Sequence, residues 1–128
     1  MIAVGDHYLD GVPEVLIRAS CPFGGGVGGC YEELCGVLSG GTLILGALRG
    51  RVSSQEDDDP LRALVCEFRQ RFIALAGSSQ CQAIRDSLPD VEHRCLPIIE
   101  GGTRVLVELL EDVHEKEQAP TAPPTPDV

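Results

Sequence analysis

The stretch Leu34-Cys35-Gly36-Val37-Leu38-Ser39-Gly40-Gly41-Thr42-Leu43-Ile44-Leu45-Gly46-Ala47-Leu48 decides the fold. Its 15 residues carry no basic or acidic side chain, but they include four glycines and two hydroxyls. A bilayer span needs about 18 or more consecutive apolar residues, so the segment is too short to be one. With apolar side chains on nearly every side, it reads instead as the buried central helix of an all-α protein. The helix is predicted to begin near Tyr31, with Glu32 and Glu33 in its first turn, and to end at Arg49 before a terminating Gly50.

On such a helix Cys35, Ser39, Thr42 and Gly46 share one face, a small-residue stripe headed by a thiol. Two readings of that stripe are compatible. In one, Gly36, Gly40, Ser39 and Gly46 let another helix approach closely, and Cys35 is a small apolar filler. In the other, Cys35 lies near a helix N-terminus, where unpaired amides favour the thiolate, with Cys30 nearer still.

On the N-terminal side, Phe23-Gly24-Gly25-Gly26-Val27-Gly28-Gly29 forms a glycine-rich loop before the helix. Gly24, Gly26 and Gly29 satisfy G-x-G-x-x-G, but the strand and βαβ context that give that pattern meaning are absent. The simpler reading is a backbone that runs tightly beside a helix and adopts positive φ. Free amides at Gly24, Gly25 and Gly26 would still offer a cofactor an anion-binding nest and a bare approach to the thiols. Further upstream, Pro13 opens a short helix through Val15, Leu16 and Ile17 to about Ala19, which Cys21-Pro22 breaks.

On the C-terminal side, Asp57, Asp58 and Asp59 form a solvated cap, and Asp59-Pro60 starts a third helix. Leu61, Leu64, Val65, Phe68, Phe72, Leu75 and Ala76 lie on one stripe of it, and Gly77 ends it. Ser78 or Ser79 caps a brief fourth helix through Arg85, and Leu88-Pro89-Asp90 turns the chain. A last helix presents Ile98, Val105, Leu109 and Val113 and ends near Glu117, with Gly101-Gly102 kinking or delaying its start. No run alternates polar and apolar residues as a strand would. The expectation is a compact bundle of about four to five helices over residues 1–118. A Pro-rich tail over 119–128, with four prolines, cannot offset its own ordering entropy.

Composition narrows the function. The chain has 128 residues, enough for one core, and no Trp, so stacking platforms for bases are scarce. Its formal charge of −10 repels phosphate backbones and anionic membranes, which argues against nucleic-acid and membrane partners. Met1 to Asp10 lacks a basic region before an apolar segment, so no secretory signal is read there and a cytoplasmic location is expected. Six cysteines (Cys21, Cys30, Cys35, Cys66, Cys81, Cys95) in that setting point to thiols, metal ligands or redox groups rather than a disulfide scaffold. No C-x-x-C occurs, so neither a thioredoxin-like dithiol nor a zinc knuckle is indicated. Cys81 and Cys95 both stand at predicted helix openings, where thiolate is favoured. His93 is read as an exposed turn residue and Cys66 as peripheral to its helix's apolar face.

These features resemble the C_GCAxxG_C_C family of redox-active proteins. Phe23-Gly24-Gly25-Gly26-Val27-Gly28 is similar to its glycine loop. Cys35-Gly36-Val37-Leu38-Ser39-Gly40 is similar to its Cys-Gly-Ala-x-x-Gly core, with Val37 in place of Ala. Phe68 to Phe72 before Gly77-Ser78-Ser79-Gln80-Cys81 resembles the helix leading to its third cysteine, and Cys95 fits the last. The likeness runs from about Leu16 to Val113. It implies that Cys35, Cys81 and Cys95 form a redox or metal-binding set. The family's first cysteine, in a helix upstream of the glycine loop, has no counterpart in Met1 to Asp10, and Cys21 and Cys30 are the thiols available to replace it.

Converging thiols can hold an iron-sulfur cluster or soft metal ion, exchange a disulfide, or fill core. Ligation of one ion would need sulfurs roughly 3.5 to 4 Å apart, and a disulfide about 2 Å. The leading expectation is therefore a small redox protein served by a redox partner protein, with self-association into a homo-oligomer left open. The alternatives are a helical protein-interaction module whose glycines serve packing, and, behind it, a nucleotide-binding enzyme.

Overall fold

A computed structural model describes residues 1–121. Among these the chain forms six α-helices and no strand: α1 (Ile2–Leu9), α2 (Glu14–Ser20), α3 (Gly36–Arg49), α4 (Asp59–Ala76), α5 (Cys81–Ser87) and α6 (Leu96–Gln118), with a 3₁₀ turn at Cys21–Phe23. The all-α class is as the periodicity predicts, but the helix count exceeds four to five. The added element is α1, which the pattern does not signal because its N-cap, Met1, makes no side-chain cap and no acid lies in its first turn. Of the predicted tail, residues 122–128 lie outside the described residues. Gln118 ends α6, and Ala119 is extended.

The core is a triangle of α3, α4 and α6, with α1 and α2 laid on α3. Phe68, Phe72, Leu45 and Leu106 are fully buried at its centre. Local chemistry explains most helix ends. Pro60 sits in the first turn of α4, where its missing N–H costs no intrahelical bond. Gly77 closes that helix at φ 79°, a conformation that side-chain-bearing residues adopt only with strain. Across the triangle Arg71 joins Glu67 on its own helix to Asp112 on α6, and Arg49 pairs in bidentate fashion with Glu117.

Glycine sets how closely the helices approach. A Cβ on Gly41 would collide with the Phe68 ring, and one on Gly102 with Val37. The small-residue stripe thus serves packing at Gly36, which abuts the Phe23 carbonyl, and at Gly40, which abuts Met1. Gly46 faces no atom within 4 Å and takes no part in that packing.

Three predicted details change. The central helix starts at Gly36, not Tyr31, because Tyr31 and Glu33 are left-handed at φ 60° and 59°. On α6 the predicted Ile98 and Leu109 are buried and Val105 and Val113 are half-buried, while Gly102, Leu106 and Leu110 complete the buried face. Gly101-Gly102 does not delay that helix, which opens at Leu96.

Candidate functional site

Cys35 is the N-cap residue of α3, Cys81 the first residue of α5 and Cys95 the N-cap residue of α6. All three line one cavity of about 440 Å³, with walls that include Leu16, Ile17, Val37, Leu43, Ile44 and Ile99. Three cysteines distant in sequence therefore open three helices onto a common, mostly apolar space.

A backbone device brings the first two together. Leu34 and Gln80 face each other in an isolated antiparallel bridge. The Cys35 N–H donates to the Ser79 carbonyl and the Cys81 N–H to the Glu33 carbonyl, both at 2.9 Å. Cys35 thus stands opposite residue 79, and Cys81 lies two residues further along the same partner segment. Alternation along extended backbone places such a pair on the same face. Diagonal neighbours of this kind are about 7–8 Å apart between Cα atoms, beyond the roughly 7 Å that a disulfide spans without backbone movement.

Cys35 and Cys81 are buried, Cys95 is half-buried, and none of the six cysteines is disulfide-bonded. The three sulfurs are not all within 4.8 Å of one another. Among the described residues, the one trio of ligand atoms that close is the exposed Asp57, Asp58 and Asp59. The spacing is therefore wider than one shared ion requires.

Burial, not the helix end, governs acidity. It pushes the Cys35 thiol above its ordinary value, and the neighbouring Cys95 adds to the rise. The Val37 and Leu38 amides act in the opposite sense, without closing a capping hydrogen bond. Cys81 is likewise raised by burial, then by the charges that Cys35 and Cys95 would carry, while Arg85 lowers it. The predicted thiolate preference at these two helix openings is thus overturned, because desolvation of an anion outweighs the partial charge of a few amides.

The remaining candidates divide. Gly24 and Gly25 lie on the cavity wall and Gly26 does not. Gly26 is held at φ 74° against the Glu32 carbonyl, where no Cβ fits. Of the three amides of the predicted nest, that of Gly24 donates to the Cys21 carbonyl, while those of Gly25 and Gly26 make no hydrogen bond among the described residues. Ser39 and Thr42 turn their hydroxyls to carbonyls of their own helix. The cavity face of α3 is instead Gly36, Val37, Gly40, Leu43 and Ile44. Cys30 and Cys66 are exposed and off the cavity, whereas Cys21 lines it. His93 is exposed and pairs with Asp90.

One residue escaped the sequence reasoning. The Arg85 guanidinium lies 3.5 Å from the centre of the Tyr31 ring, and its buried Nε has no hydrogen-bond partner. Its position one helical turn after Cys81 is the signal that would have found it.

The family described as "Putative redox-active protein (C_GCAxxG_C_C)" matches residues 1–109, a span that takes in α1 and the four cavity cysteines Cys21, Cys35, Cys81 and Cys95. No curated protein and no solved structure matched the chain. The match spans most of the 128 residues, and the chain belongs to the C_GCAxxG_C_C family.

Proposed function

We propose that the protein is a small redox carrier in which Cys35, Cys81 and Cys95 hold a soft metal centre of the iron-sulfur class. The observation that carries this reading is the opening of three helices, each by a cysteine, onto one apolar-walled cavity. The donor set fits. Thiolate sulfur is the ligand that selects soft metals and iron-sulfur clusters. A single ion at about 2.3 Å from each sulfur would need a tighter set than this one, while a centre of several atoms suits wider spacing. The diagonal placement of Cys35 and Cys81 also disfavours direct disulfide cycling between them.

When bound, such a centre supplies one-electron chemistry. The chain's own residues supply the rest. The backbone bridge holds Cys35 and Cys81 in register, and the apolar wall excludes water. Arg85 places positive charge near Cys81, which steadies the thiolate that burial alone disfavours. The mutual opposition of the three thiolates is relieved when a cation lies among them.

Anaerobic purification, or reconstitution with ferric iron and sulfide, tests the reading. Expected are bound iron, acid-labile sulfide and a broad visible absorption that bleaches on reduction. Each should be lost in Cys35→Ser, Cys81→Ser and Cys95→Ser chains that keep their helical circular dichroism. Colourless, iron-free protein after reconstitution would overturn it. Loss of two free thiols on oxidation of that metal-free protein would favour dithiol chemistry instead.

A further inference from the structure

Resting on the centre proposed above, we infer that Cys21 is its fourth thiol and the ligand at its mouth. Cys21 opens the 3₁₀ turn that follows α2 and lies on the same cavity wall as Cys35, Cys81 and Cys95. Cys30 and Cys66 do not. Its placement is built in rather than incidental. A Cβ on Gly36 would lie 2.9 Å from the Phe23 carbonyl oxygen, so the glycine after Cys35 is what seats the turn carrying Cys21 against the start of α3. The same turn is closed by the Gly24 N–H donating to the Cys21 carbonyl at 3.2 Å. Cys21 thus reaches the cavity from α2, a direction that none of the other three thiols covers.

Burial distinguishes its role. Cys35 and Cys81 are sealed in, while Cys21 is exposed. As ferric iron and sulfide assemble among them, each of the four sulfurs gives up one proton to solvent, and no electron is transferred because the iron arrives already oxidised. Cys21 is the ligand most open to exchange, so the centre would assemble and come apart at that edge.

Differential alkylation of the full chain, read residue by residue by mass spectrometry, tests this. In the reduced, metal-free protein Cys21, Cys30 and Cys66 should be labelled rapidly. After anaerobic reconstitution with ferric iron and sulfide, Cys21 should be protected together with Cys35, Cys81 and Cys95, while Cys30 and Cys66 stay reactive. Cys21→Ser should hold iron at least about tenfold more weakly than the parent chain, since loss of even an outer partner of a ligand costs that much. Cys30→Ser should bind as the parent does. Protection of Cys35, Cys81 and Cys95 with Cys21 still labelled would overturn the inference while leaving the three-thiol centre standing. Failure of iron to protect any cysteine would overturn both.

Discussion

Replacing two glycines of α3 by alanine, one at a time, separates helix propensity from packing on a single element. Gly46 and Gly41 both lie inside Gly36–Arg49, so alanine at either position gains about 0.8–1.0 kcal/mol of helix propensity. At Gly46 the new methyl meets no atom within 4 Å, and the gain stands alone. At Gly41 it enters the space of the Phe68 ring, which is fully buried and packed beside Phe72 with 6.4 Å between ring centres. That ring cannot swing into solvent, so overpacking of about 1–3 kcal/mol sets in. Propensity cancels between the two variants, and their difference is the packing cost alone. For a domain of this size about 1 kcal/mol moves the melting temperature by about 4 °C. Gly46→Ala should therefore melt about 4 °C above the parent, and Gly41→Ala about 4–12 °C below Gly46→Ala, followed by far-UV circular dichroism. Equal melting temperatures for the two variants would mean that α3 does not press on α4 as closely as described.

Stability should fall as pH rises through the thiol range. Burial raises Cys35 and Cys81 above the ordinary 9.0, so the folded chain holds those protons more tightly than the unfolded chain does. The advantage is whole below the unfolded value and is lost above it, as the unfolded chain ionises first. The urea midpoint should drop from about pH 8 to about pH 10, and less steeply in Cys35→Ala. Gly26→Ala should be among the most damaging single changes, because left-handed strain of about 1–3 kcal/mol adds to a collision with the Glu32 carbonyl; chemical unfolding or loss of soluble protein reads it. Arg85→Gln should raise the Cys81 thiol further and slow its alkylation at a fixed pH, while an Arg85→Lys chain, keeping the charge, should react nearly as the parent does.

Much of the architecture is local and could be read directly. Pro60 at the opening of α4, Gly77 at its close and the Phe68–Phe72 stripe are set by backbone chemistry and a 3.6-residue period, neither of which needs a distant partner. Where a distant partner intervenes, the reading slips. Glu32 and Glu33 look like a helical first turn, yet Tyr31 donates its N–H to the Gly25 carbonyl, Glu33 accepts from Cys81, and the chain between them stays out of the helix. On α6 the periodicity finds Ile98 and Leu109 but not Gly102, which is buried because it faces Val37 and Phe72.

The site follows the same division. That Cys81 and Cys95 stand at helix openings is legible from nearby breakers such as Gly77 and Pro97, which act within about a turn of where they stand, whereas the opening at Cys35 is not, since the expected start of that helix is near Tyr31. That Cys35 and Cys81 share a cavity depends on the pairing of residues 33–35 with 79–81, and Cys95 joins them through the packing of α6 on α3. No periodicity announces a hydrogen bond between segments so far apart. The acidity of Cys35 and Cys81 was open to neither view alone: the order of residues supplies helix-end amides that favour the thiolate, and burial in the folded chain outweighs them.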